Sequence, residues 1–339
     1  MIALGRLAGG YHVSDLNHPW DFQVDDAHNI VSGAKPSPGL LWSSRAMMAL
    51  LSVISGALLF LLVRHAAGAV AGCVFVGLFV GSDYLLIHLR RAMSEPPLLF
   101  FTTLTLLAGA RAVMIAPRRG VSLSRRPASL IWLLMMGAGT GLAGAAKLNG
   151  LALYIAGAAL CFSIIYRGQD SNRLRLALAL SFFLGLVAAL VFTAVNPFLY
   201  PQPPFRTIAM GLFRRWEMIN QASRPWWRID GLNARLRIVP RRILQDYAVI
   251  HIGILNGLLL AVGLYHLVQT ARLWLVNKGG SPVSVAILAV AVVTALPPLL
   301  TPLDWDRYYM YPVIFTSLCV AIGIGQIAQM GWRRLSTVR

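Results

Sequence analysis

His88-Leu-Arg-Arg-Ala-Met-Ser-Glu-Pro-Pro-Leu-Leu-Phe-Phe101 is the stretch that decides the fold of this chain. It places two arginines and a glutamate between two strongly apolar runs, residues 66–87 and 96–114. Charged side chains are costly within a bilayer and usually serve a function where they are kept. The stretch therefore predicts a charged turn at a membrane surface or beside a cavity.

The composition indicates a membrane protein. Hydrophobic residues make up 57% of the chain and charged residues 12%, and the mean hydropathy is +0.67. These values are typical of polytopic membrane proteins. The net charge of +18 predicts basic cytoplasmic loops and contact with anionic membrane lipids. Nucleic-acid binding is not expected, because the basic residues are divided among many short loops.

Nine apolar runs approach the roughly 20 residues that a helix needs to cross a bilayer. They are residues 46–63, 67–87, 96–115, 128–145, 149–166, 176–195, 247–269, 281–300 and 310–328. Lys147 and Asn149 interrupt the segment 128–166, which leaves a single re-entrant hairpin as an alternative there. We predict an all-α integral membrane protein of about 9–10 transmembrane helices. Residues 1–45 and 196–246 are then loops, and 329–339 form a tail.

The basic loops give an orientation. Arg118, Arg119, Arg125 and Arg126 share one short loop, and the positive-inside rule assigns that side to the cytoplasm. Strict alternation then places 1–45, the turn 88–95, Lys147 and the loop 196–246 on the extracytoplasmic side, and the tail in the cytoplasm.

The loop 196–246 contradicts the charge rule, because it carries nine arginines. Its aromatic side chains include Phe213, Trp216, Trp226 and Trp227. One interpretation is an amphipathic helix or two on the lipid headgroups. The other is that part of this surface faces a bound phosphate-bearing substrate, and the two are compatible.

Four polar features fall on the same predicted side. They are Arg90 with Glu95, Lys147 with Asn149, Asn196-Pro197, and the run Asp304-Trp-Asp-Arg307-Tyr308-Tyr309. Singly, each could be an ordinary interfacial pair or anchor. Together they indicate a site, because several cations around a cavity suit a phosphate group. Nearby carboxylates suit proton abstraction or metal binding.

The chain contains no binding motif for a soluble cofactor. The sequence has no Walker loop, no dinucleotide glycine pattern and no zinc-spaced His/Cys set. No cofactor or metal is assigned, although the carboxylates leave a divalent metal open. A donor carried on a lipid phosphate fits the predicted location.

Three segments resemble the protein O-mannosyltransferase family, whose relatives include the aminoarabinose transferases of lipid A. They are the run from Arg90 to Phe101, Gly141-Leu-Ala-Gly-Ala-Ala-Lys147-Leu-Asn-Gly150, and Arg307-Tyr-Tyr-Met-Tyr-Pro312. The resemblance implies a multispanning glycosyltransferase that uses a polyprenyl-phosphate-linked sugar. The acceptor would be a hydroxyl on a protein, a lipid or a glycan.

The resemblance also implies roles for particular residues. Arg90, Arg91, Lys147, Arg307 and Tyr308 become the candidate contacts of the donor phosphate. Glu95 becomes a candidate catalytic carboxylate, which could orient Arg90, bind a metal or touch the acceptor.

The family's acidic motif has no counterpart in the chain. In the family an Asp-Glu pair after the first helix deprotonates the acceptor, and residues 1–10 resemble the stretch downstream of it. We therefore expect an N-terminally truncated chain of doubtful activity. The pair Asp25-Asp26 could substitute for the missing motif, and the alternative is that both are solvated loop carboxylates. A transporter for a lipid-linked or phosphate-bearing solute is the alternative function, and a membrane scaffold without a ligand is a third.

Overall fold

The computed structural model describes residues 2–18, 21, 24–91, 93–115, 127–167, 173–200, 202–223, 228–276 and 278–336. Within these ranges the chain is helical and contains no strand beyond an isolated bridge between Arg228 and Leu303. The prediction of an all-α membrane protein is confirmed. Several residues used above lie outside the described ranges, namely Arg118, Arg119, Arg125, Arg126, Arg224, Trp226, Trp227 and Arg339.

Fourteen α-helices are described. The first seven are α1 (Ile2–Ala8), α2 (Asp26–Val31), α3 (Pro38–Ala67), α4 (Ala69–Val80), α5 (Asp83–Leu89), α6 (Glu95–Ile115) and α7 (Pro127–Ala146). The others are α8 (Leu153–Arg167), α9 (Arg173–Ala194), α10 (Pro203–Ala222), α11 (Gly231–Arg241), α12 (Gly253–Leu275), α13 (Pro282–Leu300) and α14 (Met310–Ser336).

Eight helical segments in the described ranges are long and apolar enough to cross a membrane. A ninth span results if α4 and α5, which are bent by 70° at their junction, are counted together. This matches the nine predicted runs. The two runs on either side of Lys147 form separate candidate spans, Ala128–Ala146 and Leu148–Tyr166, as the nine-run count predicted.

Local sequence explains where these helices begin and end. Ser37 accepts a hydrogen bond from the Leu40 amide and caps α3, which therefore starts at Pro38 rather than at residue 46. Gly68, with φ of +92°, separates α3 from α4, since a left-handed residue ends a helix. Ser82 caps α5 at the bend.

The helix α6 occupies the centre of the bundle. In its span 67% of the residues are buried, more than in any other candidate span. It packs against α3, α7, α8 and α13. Its first turn is Glu95-Pro96-Pro97, where prolines are tolerated because the amides of a first turn have no helical partner. The deciding stretch therefore starts the central helix and carries Glu95 into the protein interior.

The loop 196–246 is largely helical and contains α10 and α11. Six large apolar side chains of α10 are exposed, namely Phe205, Ile208, Leu212, Phe213, Trp216 and Ile219. Their spacing places most of them along one stripe of the helix, which gives the predicted amphipathic character. The Ile229 amide donates to the Pro302 carbonyl (2.8 Å), so the loop is tied to the turn before α14.

Candidate functional site

A buried ion pair joins two of the predicted site residues. Lys147 Nζ lies 2.9 Å from Glu95 Oε1. The Glu95 side chain is 2% exposed and that of Lys147 is 25% exposed. Ser94 Oγ donates to the second carboxylate oxygen at 3.3 Å. Glu95 therefore pairs with Lys147, 52 positions away, and not with the nearby Arg90.

Arg307 and Tyr308 lie beside this pair. The charge of Arg307 acts on the Glu95 carboxylate, but no carboxylate of the described residues lies within ion-pair distance of its guanidinium. Arg307 instead covers the ring of Trp305 at 4.1 Å, and its Nε is buried without a hydrogen bond within the described ranges. Of the described carboxylates, Glu95 alone lies within ion-pair distance of Lys147, and none lies within that distance of Arg307. The charge of Glu217 also acts on Tyr308, but the ion pair of Glu217 is with Arg214.

Tyr308 adds a hydroxyl to the same group. Lys147 Nζ lies 5.6 Å from the centre of the Tyr308 ring, a cation–π geometry. Burial raises the pKa of Tyr308, although the Arg307 charge opposes this. The phenol is therefore protonated at neutral pH and able to donate a hydrogen bond.

Three of these side chains, those of Lys147, Arg307 and Tyr308, line a cavity of about 40 Å³ between α6, α8, α13 and α14. Lys147, Asn149, Arg307 and Tyr308 supply its polar wall, and apolar residues such as Leu153 complete it. A volume of this size holds little more than water. An anion the size of a phosphate would therefore bind at the cationic mouth rather than inside.

Arg90 lies at a different cavity. It caps the end of α5 and lines an apolar groove of about 760 Å³ formed by α3, α4 and α5, with Phe60 and Phe79 in its wall. Arg91 is exposed next to it. The structure therefore brings together Glu95, Lys147, Arg307 and Tyr308. It does not bring Arg90 to the cavity that the last three of them line.

Asp25 and Asp26 lie at the start of α2. The Asp25 carboxylate accepts the His28 amide at 2.7 Å and caps this helix. Both side chains are exposed, and none of the described contacts connects either one to Lys147. The geometry gives Asp25 a structural role, and a catalytic role stays a prediction.

The structure contains a second charged cluster at the same end of the bundle as Lys147, and the sequence did not predict it. Arg242 Nη1 and Nη2 donate to Asp246 (3.1 Å) and Asp304 (2.8 Å), and the Tyr309 hydroxyl donates to Asp304 at 2.7 Å. The hydrogen bond to Asp304, more than any other cause, raises the pKa of Arg242. The only sequence signal was the pair of aspartates at 304 and 306.

His88, the first residue of the deciding stretch, belongs to a third contact. Its Nε2 lies 3.3 Å from Asp306 Oδ2, and its side chain is 3% exposed. The Tyr84 hydroxyl donates to the Asp306 backbone carbonyl. These bonds fix the turn before α14 to the turn before α6. No group of three or more His, Cys, Asp or Glu in the described ranges could hold a metal.

Comparison with known proteins identifies one family. Residues 9–199 match the family described as dolichyl-phosphate-mannose-protein mannosyltransferase. The match covers more than half of the chain and includes Glu95 and Lys147, but it ends before Arg307. No curated protein matches the chain.

Solved structures give distant similarities. One is the archaeal oligosaccharyltransferase AglB from Archaeoglobus fulgidus, in complex with an inhibitory peptide and a dolichol-phosphate (15% identity, TM-score 0.48, 92% of this chain and 42% of that one). Another is ArnT from Cupriavidus metallidurans in the apo state (17% identity, TM-score 0.44, 88% of this chain and 47% of that one). The chain thus spans less than half the length of these proteins.

Proposed function

The chain belongs to the dolichyl-phosphate-mannose-protein mannosyltransferase family, and we propose that it is a membrane glycosyltransferase that takes its sugar from a polyprenyl-phosphate donor. The observation that carries this proposal is the Arg307 guanidinium, which lines the Lys147 cavity and has no ion pair within the described ranges. A phosphate there would restore the balance of charge and accept hydrogen bonds from Lys147, Arg307 and Tyr308. Apolar side chains of α8 and α13 that line the cavity, such as Leu153 and Val293, would contact the first part of the lipid chain.

The reaction is a substitution at the sugar. The acceptor oxygen forms a bond to the anomeric carbon, and the bond from that carbon to the phosphate oxygen breaks. The phosphate leaves with the electron pair, and the cations stabilise the charge that develops on it. Glu95 then acts as a positioning residue that holds the Lys147 ammonium, since its carboxylate is already buried and hydrogen-bonded.

The acceptor proton has to pass to a base. Of the two sequence candidates, Asp25 is engaged as a helix cap, so Asp26 is the better choice. Asp26→Asn should lower turnover of dolichyl phosphate mannose while leaving its affinity unchanged. Unaltered turnover would remove Asp26 from the mechanism. The acceptor class is open among proteins, lipids and glycans.

Arg307→Gln tests the phosphate site. Hydrogen bonds to charged groups contribute about 1.5–3 kcal/mol, so the variant should bind polyprenyl phosphate roughly ten- to a hundredfold more weakly. Arg272→Gln is the control, because it removes an exposed positive charge near the end of α12 that does not line the Lys147 cavity. Wild-type affinity in the Arg307 variant would overturn the proposed site. If Arg90→Gln alone lost binding, the donor would belong in the groove of α3, α4 and α5.

We also propose that this end of the bundle faces the extracytoplasmic side. The described opposite end, where α3 and α6 finish and α13 begins, carries arginines and no carboxylate, as the positive-inside rule requires of a cytoplasmic face. Lys35 and Lys278 are exposed at opposite ends. An impermeant amine reagent on intact cells should label Lys35 and spare Lys278, and the reverse pattern would invert the orientation.

A further inference from the structure

A third cavity lies at the opposite end of the bundle, between α3, α6 and the first turn of α13. Its volume is about 410 Å³. Its polar wall consists of Arg64, His65 and Arg111, and the remainder is apolar, including Leu61, Leu107 and Met114. Arg64 and Arg111 each lie about one turn before the end of their helices. Neither residue takes part in the site proposed above.

The charge around this cavity is uncompensated. Neither guanidinium has a hydrogen-bond or ion-pair partner within the part of the chain that the structure describes. The described part of this end contains no Asp or Glu. In the sequence, the connections 116–126 and 168–172 between helices at this end carry four arginines and one carboxylate, Asp170. The dipoles of α3 and α6 favour cations at these positions, but they do not cancel the repulsion between two arginines that share one cavity.

The apolar part of the wall favours a lipid over a soluble anion. A soluble anion would occupy only the basic part of the cavity, whereas the acyl chain of a lipid would also fill the apolar part beside Leu61, Leu107 and Met114. We propose that this cavity binds one anionic phospholipid, with its phosphodiester between Arg64 and Arg111 and an acyl chain along the apolar wall. Basic pockets between membrane helices on the cytoplasmic side are known to take such headgroups.

A simpler explanation is that both arginines only reach for the headgroup layer, like other basic residues at this end. In that case any arginine there would contribute equally. Arg272, which is exposed near the end of α12 and does not line the cavity, provides the comparison.

The experiment measures phospholipid binding to the purified full-length chain by native mass spectrometry. Phosphatidylglycerol should bind as a single tight molecule, and phosphatidylcholine should not compete with it. The double variant Arg64→Gln/Arg111→Gln should weaken phosphatidylglycerol binding at least roughly tenfold, because it removes two charge-assisted contacts. Arg272→Gln should bind it like the wild type. Equal affinities in all three proteins would overturn the proposal.

A further variant tests the position of the acyl chain. Leu61→Trp leaves both arginines in place and fills the cavity from its exposed rim, so it should also weaken phosphatidylglycerol binding. This test can be read even if the double variant fails to fold, and wild-type affinity in Leu61→Trp would refute the proposed position of the acyl chain.

Inorganic phosphate should not displace the lipid; displacement at millimolar phosphate would show a site for a soluble anion instead. None of these measurements involves the sugar donor, so the proposed function can fail independently.

Discussion

Lys147 and Arg242 lie at the same end of the bundle, and each pairs with a carboxylate that is distant in sequence, Glu95 and Asp304 respectively. Around Arg242 the charges balance, because Arg241 and Arg242 face Asp246 and Asp304. Around Lys147 they do not, because Glu95 pairs with Lys147 and no described carboxylate lies within ion-pair distance of Arg307. The same residue types therefore serve two purposes, and charge balance distinguishes a structural clamp from a binding site.

The surroundings of the two clusters agree with this difference. Arg242 faces the Tyr247 ring at 5.8 Å, and Tyr247 stacks on Tyr84 with ring centres 4.2 Å apart. This packing covers one side of the cluster with aromatic side chains, while the Arg242 side chain stays partly exposed. The Lys147 cluster opens into a cavity instead. The Nε of each arginine, Arg242 and Arg307, is buried without a hydrogen bond in the described ranges. Ion pairs to two aspartates hold Arg242 and its loop in place, whereas Arg307 has no ion pair there and is available to a ligand.

Lys147→Met should have the largest effect on stability. It leaves the Glu95 carboxylate buried without its cation, and breaking a buried pair costs about 3–5 kcal/mol. The apparent Tm of the purified protein should fall sharply. In Glu95→Gln/Lys147→Met the buried charge is gone, so most of the Tm should return while polyprenyl-phosphate binding stays lost. Equal melting of the single and double variants would show that the unpaired Glu95 carboxylate is not what destabilises Lys147→Met.

Asp304→Asn should lower the stability less than Lys147→Met does, and it should leave polyprenyl-phosphate binding intact. It removes one of the two carboxylates of Arg242, and because both side chains are partly exposed, solvent limits the loss to about 1–2 kcal/mol. We expect a moderate decrease in apparent Tm and unchanged affinity for polyprenyl phosphate. A loss of affinity as large as that of Arg307→Gln would contradict the division between clamp and site.

Tyr308→Phe and Tyr309→Phe compare the clusters at adjacent positions. The first removes a protonated hydroxyl from the cavity mouth and should weaken donor affinity a few-fold, or by about 0.5–1.5 kcal/mol. The second removes the hydrogen bond to Asp304 and should lower the apparent Tm without changing affinity. The reverse assignment of effects would exchange the roles of the two tyrosines.

Sequence reasoning predicted the spans because apolar length is a local signal. Alternation of the spans also brought Glu95 and Lys147 to one end, although they are 52 positions apart. The sequence did not predict that Glu95 pairs with Lys147 instead of Arg90, because the position of Arg90 depends on the bend at residues 81–82. The bend turns α5 away from the axis of α4 and places Arg90 at the other groove.

The Arg242 cluster was beyond sequence reasoning for a similar reason. Its partners Asp246 and Asp304 lie 4 and 62 positions away, and the second contact depends on how the loop returns to the turn before α14. The loop itself was predicted from its arginines and tryptophans, but composition does not specify which arginine finds a carboxylate. Pairing at helix ends depends on tertiary packing, whereas spanning segments depend on local composition.

Asp25→Asn should have the smallest effect, and it tests whether a carboxylate outside both clusters takes part in the reaction. Asparagine caps a helix about as well as aspartate, so the variant should retain both the amide protection of α2 in hydrogen exchange and the turnover of dolichyl phosphate mannose. Asp25→Ala removes the cap, and the amides at the start of α2, including that of His28, should exchange faster with turnover unchanged. A hundredfold loss of turnover in Asp25→Asn, with α2 intact, would instead make Asp25 the base. The reaction would then depend on a residue that no described contact ties to the Lys147 cluster.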